Sequence, residues 1–439
     1  MEWYLCTVRL YLICPQATSR LQYVASILFE NLLGLDLTIV APEAFMPEIH
    51  VPALSYACSI DNLEEIPSAA LLFETGLPRV FPETYETPRL PGLFPFPNAP
   101  GTFKFDILAS AFWILIDGWE LTGLLPKDLY DRTDGRHHPL MIEGWISRPI
   151  IHDYASALAS RISGCLFQPK SGKIHITLDI DEPWMHAYKP WHIQLGGMIK
   201  SLGQGDMRTV KQRIKSLMGI EDPFYIFPHL THPQSLILFF LIDRHDPKDG
   251  RHTWRLSAYR KLIQMCHERG IHIGIHPSFS SSDVPGRIAF EKQKLEEIIG
   301  QPVVSSRQHF LRYKNPETFR ELEACGIRHE YSLCPIYACG YMRGMAQPFL
   351  WYDIGQERTS QLTLHPVMVM DRALQKYQGI RADEAWEKIK SEADTCLSYG
   401  GEFVILWHNA TLSETGEWQG WKKVWTALQL YFEEKGYPS

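Results

Sequence analysis

The chain has 439 residues, of which 45% are hydrophobic and 21% charged, with a formal net charge of −7. That composition excludes a disordered or fibrous chain and predicts a soluble globular protein of two domains. The acidic balance, with no basic patch interleaved with aromatics, argues against a nucleic-acid partner.

Nine cysteines are scattered with no CxxC pair, the pattern of reduced thiols in a cytoplasm rather than a disulfide framework. The start of the chain lacks the basic, apolar and small-residue segments of a secretory signal, and the longest apolar runs, 107–116 and 236–242, are too short to span a membrane. A cytoplasmic protein with no transmembrane segment is expected. The 12% aromatic content, with 13 Trp, fits a large core first and sugar stacking second.

In residues 1–168, apolar spacing predicts helices over 21–35, 105–121 and 151–162 and a strand over 37–40. The stretch 77–100 is dense in Pro and aromatics and predicts an ordered loop. Asp134, Gly135, Arg136, His137 and His138 are the only candidate site here, and a His pair beside a turn is more often surface than ligand.

From about 170 the rhythm changes. Short apolar runs predict strands over 174–179, 235–242, 271–275, 303–306, 327–333 and 403–407. Amphipathic stretches predict helices over 256–269, 287–299, 316–325 and 382–399. Gly270, Gly300 and Gly326 each follow a helix, as C-caps do. A long insertion, 185–233, separates the first two strands. This alternation predicts a parallel sheet with crossover helices, open or closed into a barrel.

In such sheets function gathers at the carboxyl ends of the strands. Those ends carry Asp179 and Asp181, Asp243 and Arg244, His276, Arg307 and His309, Glu330, and His408 with Asn409, while the strand bodies stay apolar. Asp179 and Asp181 are spaced i, i+2 and share one face of their strand. Two carboxylates so placed suit a hard cation with a general base beside it, and carboxylate with imidazole suits zinc, manganese, iron or nickel. No P-loop, GxGxxG or serine nucleophile elbow follows a strand. His272, four residues before His276, belongs below the strand mouth, and His229 and His232 in the insertion read as surface residues.

Taken in order, the segments 177–181 (TLDID), 239–244 (FFLIDR), 274–279 (GIHPSF), 306–312 (SRQHFLR), 330–344, 347–353 and 404–409 (VILWHN) resemble the NodB-homology polysaccharide deacetylases. The whole chain resembles a bacterial, largely Bacteroidetes-type subgroup with an uncharacterised N-terminal domain. The resemblance implies a distorted (β/α) barrel over 169–439, preceded over 1–168 by a smaller mixed α+β domain of unknown role.

Carried over residue by residue, it implies Asp179 as catalytic base and Asp181 as metal ligand, though Ile180 separates two residues that the family keeps adjacent. His276 takes the first position of the family's His pair, but Ser280 stands at the second. Arg307 would orient Asp179, Glu330 stands for the family's fourth-motif Asp, and His408 takes the general-acid position. Arg307 and His309 share a face if extended, so His309 is expected to replace the missing ligand, giving Asp181, His276 and His309 around a divalent ion such as zinc. Trp184, Trp407 and Tyr341 are candidates for a sugar platform, and Glu330 and Asn409 for supporting roles. The implied reaction is removal of N-acetyl groups from a poly- or oligosaccharide. Two alternatives stand beside it: a lapsed NodB-like carbohydrate-binding or assembly module, motivated by Ser280 and His309, and a metal-dependent hydrolase of a small ester or amide.

Overall fold

The computed structural model describes residues 8–87, 89–227, 230 and 236–435; His229 and His232 lie outside the described residues. The chain divides into two compact units. The first comprises Met1–Gly172, Gly340–Pro366 and Cys396–Gly401, and the second Lys173–Cys339, Val367–Thr395 and Glu402–Ser439. The sequence expects one boundary after 168, and the first of these divisions falls after Gly172. The two later segments of the first unit were assigned by sequence to the second region, because a return of the chain to an earlier unit leaves no local pattern.

In the first unit β1 (Arg9–Ile13), β2 (Asp36–Val40), β3 (Ala53–Tyr56) and β4 (Glu64–Ile66) form a parallel sheet in the order β2-β1-β3-β4. A short antiparallel pair follows, β5 (Thr84–Tyr85) with β6 (Gly92–Leu93). The helix Ile107–Ile116 is buried on every side, so it shows no amphipathic stripe. Asp106 caps it, accepting from the backbone of Ala109 and Ala69 and from the Tyr56 hydroxyl. The expected helix over 21–35 is split into Ser19–Ala25 and a wider-wound Ser26–Leu32.

In the second unit the parallel strands are β7 (Lys173–Ile180), β8 (Leu236–Phe240), β9 (His272–Ile275), β10 (Ser305–Ser306) and β11 (His329–Glu330). The antiparallel pair β12 (Phe349–Asp353) and β13 (Arg358–Leu364) belongs to the first unit. The second then resumes with β14 (Val369–Met370) and β15 (Glu402–His408). Its strands run in the order β11-β10-β9-β8-β7-β15-β14, with every pairing parallel. This is the parallel-rich α/β sheet that the alternation predicts. Among the described residues the ladder within the unit runs from β11 to β14, and these two end strands are not paired with each other.

Helices Ser257–Glu268, Arg287–Ile299 and Glu317–Ala324 connect the strands, and Gly270, Gly300 and Gly326 end their loops with φ of 79°, 73° and 88°. Only glycine adopts that left-handed conformation without strain. Among the described residues no helix is long and apolar enough to cross a membrane.

Candidate metal centre and its acid–base groups

β7 delivers Asp179 near its last residue, and Asp181 follows just beyond it. Pro183 removes a backbone donor and ends the run. Gly250, in the loop after β8, passes so close to the Asp181 carbonyl oxygen that a Cβ there would collide with it. On the neighbouring strand, His408 is the register partner of Asp179.

Arg307, following β10, is fully buried. Its Nη1 donates to Asp179 Oδ1 at 2.8 Å, its Nη2 to Thr177 Oγ1 at 2.7 Å and its Nε to the Tyr331 carbonyl at 3.0 Å. A guanidinium keeps its charge and offers donors in a rigid fork, so these bonds fix the plane of Asp179 and oppose its charge.

His276 and His309 are held from behind. His276 Nδ1 lies 2.6 Å from the Arg307 carbonyl oxygen, and His309 Nδ1 lies 3.1 Å from Asp249 Oδ1. A carbonyl and a carboxylate only accept, so each Nδ1 carries a proton and Nε2 is the atom each ring turns forward, with a lone pair to offer when the ring is neutral. Those Nε2 atoms lie 3.3 and 3.7 Å from Asp181 Oδ1. That oxygen is buried and accepts no hydrogen bond among the described residues.

The three ligand atoms lie within 4.8 Å of one another. Facing lone pairs repel unless a cation or an added proton sits among them. Donor atoms about 2.1 Å from one ion at the tetrahedral angle lie about 3.4 Å apart, so two imidazole nitrogens and one carboxylate oxygen at this spacing fit a divalent ion such as zinc. Hydrogen bonds behind the imidazoles are the outer support that metal-ligating histidines use.

The electrostatics follow the geometry. Burial opposes charge on His276, but the Asp179 and Asp181 carboxylates outweigh it and raise its pKa. Burial pushes the Asp181 carboxyl up, but His276, His309 and His408 hold it well below the ordinary range. The Arg372 guanidinium adds a cation 3.8 Å from Asp181 Oδ2.

His408 closes β15. Its backbone N–H donates to Asp371 Oδ2 at 2.8 Å and its Nδ1 lies 2.8 Å from Asp371 Oδ1. The Thr411 hydroxyl also donates to Oδ2. Burial pushes the Asp371 carboxyl up, but the charge and hydrogen bond of His408 more than offset it, and the pKa is lowered. With Nδ1–H committed to Asp371, Nε2 is the His408 atom left for proton traffic.

The structure thus brings together Asp179, Asp181, His276, Arg307, His309 and His408, all in the second unit. Ser280 stands apart, its hydroxyl accepting from Arg287 at 2.6 Å. Glu330 is buried beneath the site, accepting from the Ser306 and Ser332 hydroxyls and the Ser332 N–H, and burial pushes its pKa up to about 7. Asn409 Nδ2 donates to the Glu182 and Phe224 carbonyls at 3.0 Å each, tying two loops together. Asp243 accepts from Trp254 and Arg255, at 3.2 Å each. His272 pairs with Ser305 Oγ at 2.8 Å, at the amino end of β9 and away from the mouth.

The three sugar-platform candidates are all buried. Trp407 is fully buried against Trp421 and Trp425, and Tyr341 is fully buried in the first unit. Trp184 is buried among Tyr188, Tyr225, His252 and Tyr259, where it lines a cavity of about 560 Å³ that includes none of the strand-end charges. The rings of Trp407 and Tyr341 serve packing. In the first unit, His138 is buried with its Nε2 3.0 Å from Asp117, and Asp134 caps the turn Gly135–His137, so the candidate cluster there is structural. Sequence reasoning missed Asp249, Asp371 and Arg372.

Residues 10–165 match a family described only as a family of unknown function (DUF7033). No curated protein matches the chain. Among solved structures, a proposed polysaccharide deacetylase from Mycobacterium smegmatis is 17% identical, covering 61% of this chain and 84% of its own, with a TM-score of 0.38. The Bacillus cereus polysaccharide deacetylase Bc1974 is 10% identical, covering 61% and 95%, with a TM-score of 0.28. A CE4 family pseudoenzyme from Bacillus anthracis is 9% identical, covering 62% and 63%, with a TM-score of 0.30. At TM-scores below 0.5 these likenesses carry no argument, and the functional reading rests on the side chains.

Proposed function

We propose that the second unit removes N-acetyl groups from a poly- or oligosaccharide with a divalent metal held by Asp181, His276 and His309. The observation that carries this reading is the convergence of two Nε2 lone pairs on a buried Asp181 oxygen that accepts no hydrogen bond among the described residues. An ion bound there supplies Lewis acidity toward the acetamide carbonyl and acidifies water at neutral pH.

The chain's own residues supply the proton transfers. Asp179, its plane fixed by Arg307, takes the proton of the attacking water. As the C–N bond breaks, His408 delivers a proton from Nε2 to the departing amine, and the Asp371 carboxylate offsets the positive charge the ring carries before that transfer. Acetate and a free amino sugar result. The test is elemental analysis followed by acetate release from N-acetylated glycans. The expected result is one metal per chain and a rate that falls roughly 10²–10⁴-fold in Asp179→Asn with metal content unchanged. A metal-loaded wild type that releases no acetate from any acetylated glycan would sink the reading.

Ser280 supports a second reading, a lapsed carbohydrate-binding module, because it stands where the resemblance expects a ligand and is engaged by Arg287 instead. That reading predicts glycan binding with neither metal nor acetate release.

A further inference from the structure

The loop that carries Asp181 leads into two helices, Trp191–Gly203, whose polarity is inverted, and Met207–Leu217, which buries Val210 and Ser216 and leaves other apolar residues outside. A surface helix of a globular protein turns its apolar stripe inward and its polar face to water. In the first of these helices Gln194 and Ser201 are buried, while Trp191, Leu195, Ile199 and Leu202 are exposed. Their spacing, i, i+4, i+8 and i+11, sets them on one face. Met207, Ile214 and Met218 repeat the pattern on the second helix and just beyond it. The exposure is large, at 76% for Trp191, 62% for Ile199 and 68% for Met218. Scattered exposed apolar residues need no explanation, but a continuous stripe does.

The inversion is built into the local bonding. Asp222 accepts from the backbone N–H groups of Met185, His186 and Ala187 at 2.7, 2.9 and 3.1 Å, and from the Ser216 hydroxyl. Gln194 donates to the His186 carbonyl and accepts from Arg213. Gln194, Ser216 and Asp222 are satisfied inside, which leaves the apolar side chains outside.

Charge identifies what covers them. Residues 185–222 hold Lys189, Lys200, Arg208, Lys211, Arg213 and Lys215 against Asp206, Glu221 and Asp222, in a chain whose net charge is −7. Lys189 and Lys215 pair with Glu182 and Glu221 and Arg213 turns to Gln194, while Lys200, Arg208 and Lys211 stay exposed beside the stripe. A second copy of the chain meeting this face about a two-fold axis would oppose one basic rim to another. An apolar stripe with a tryptophan, bordered by basic residues, is the pattern of a helix lying in the interface of an anionic lipid surface. We propose that this helix pair docks the protein peripherally on anionic phospholipid. The proposal rests on exposure and charge and is independent of the deacetylase reading.

The test uses the full chain with vesicles of equal phosphatidylglycerol and phosphatidylcholine, against phosphatidylcholine alone, in a sedimentation assay. Binding to the anionic vesicles is expected, and it weakens as salt is raised. Leu195→Glu with Ile199→Glu removes it. Lys200→Glu with Lys211→Glu weakens partition roughly tenfold or more, from the loss of two cationic contacts. All four positions are exposed, and thermal melting checks that the variants fold. As a second measurement, vesicles shift tryptophan emission to the blue in the wild type, and Trp191→Phe reduces the shift. Failure to bind anionic vesicles, or binding indifferent to the apolar pair, overturns the proposal. So does a wild-type dimer that the apolar pair variant makes monomeric, since the face would then belong to a second copy.

Discussion

In the first unit His138 Nε2 lies 3.0 Å from Asp117 Oδ1, and in the second His276 Nε2 lies 3.3 Å from Asp181 Oδ1. The distances are alike, yet the protons are arranged oppositely. His138 Nδ1 accepts the Leu140 N–H, so its Nε2 carries the hydrogen and donates it to Asp117. Burial pushes the Asp117 carboxyl up, but His138 pulls it down to about 2, as befits a closed and satisfied pair. His276 and His309 spend their Nδ1 hydrogens on acceptors behind them and turn Nε2 to Asp181, free to offer a lone pair to a cation. Proximity of His to a carboxylate therefore says little. Which nitrogen is occupied from behind decides whether the pair is a core contact or a site.

The largest expected effect tests the far side of that site. Asp371→Asn leaves His408 without its charge partner, and acetate release falls roughly 10²–10⁴-fold while metal content holds. Unchanged release would remove His408 from the acid role. Next, Asp249→Asn weakens the support behind His309, and metal affinity drops about 10–100-fold in a chelator competition. His138→Ala, the matching change in the first unit, leaves metal affinity untouched. If both variants lose metal equally, the contrast between open and closed pairs collapses.

The third effect is on stability. His138→Ala strands a buried carboxylate, and chemical denaturation should register a loss of about 3 kcal/mol, with acetate release normal wherever the protein remains folded. A loss near zero would mean that Asp117 finds another partner or takes up a proton.

The parts of this picture readable in sequence were those written locally. The six expected strands each overlap one of β7, β8, β9, β10, β11 and β15, because apolar runs bounded by C-capping glycines carry their own punctuation. β10 and β11 keep only two residues each of the expected 303–306 and 327–333. Asp181, His276, His309 and His408 stand at strand ends, where residue type and position together mark function. Asp371 follows a two-residue strand and lies 37 positions from His408, so nothing local links them. Asp249 sits in Asp246-Pro247-Lys248-Asp249-Gly250, which reads as a turn; it does organise one, accepting from the His245 and Asp246 N–H groups, and only tertiary contact adds His309. Trp407 and Tyr341 were misread because a buried ring and a sugar-stacking ring share one composition. The insertion helices went unseen, since Gly196 and Gly197 weaken the helical signal and the apolar stripe faces outward.

The smallest effect sets the two units against each other through pH. His152, fully buried in the first unit, accepts the Ala346 N–H at 3.1 Å, and burial pushes its pKa from 6.5 down to about 3. As pH falls below 6.5 the unfolded chain takes up the proton first, so stability is lost at ~1.4 kcal/mol per pH unit down to about pH 3. Glu330 runs the other way: burial raises its pKa from 4.5 to about 7. Its contribution is fully present below pH 4.5 and is lost at the same ~1.4 kcal/mol per unit as pH rises toward 7. Between pH 4.5 and 6.5 the two slopes oppose and hide each other in the wild type. His152→Gln, which keeps an acceptor for Ala346, and Glu330→Gln, which stays neutral, expose them separately. In urea denaturation over this range, the stability difference from wild type should slope with opposite sign in the two variants. Slopes of the same sign, or none in Glu330→Gln, would mean that water reaches the floor of the strand-end site, and the lone pairs above it would then be less desolvated than their burial indicates.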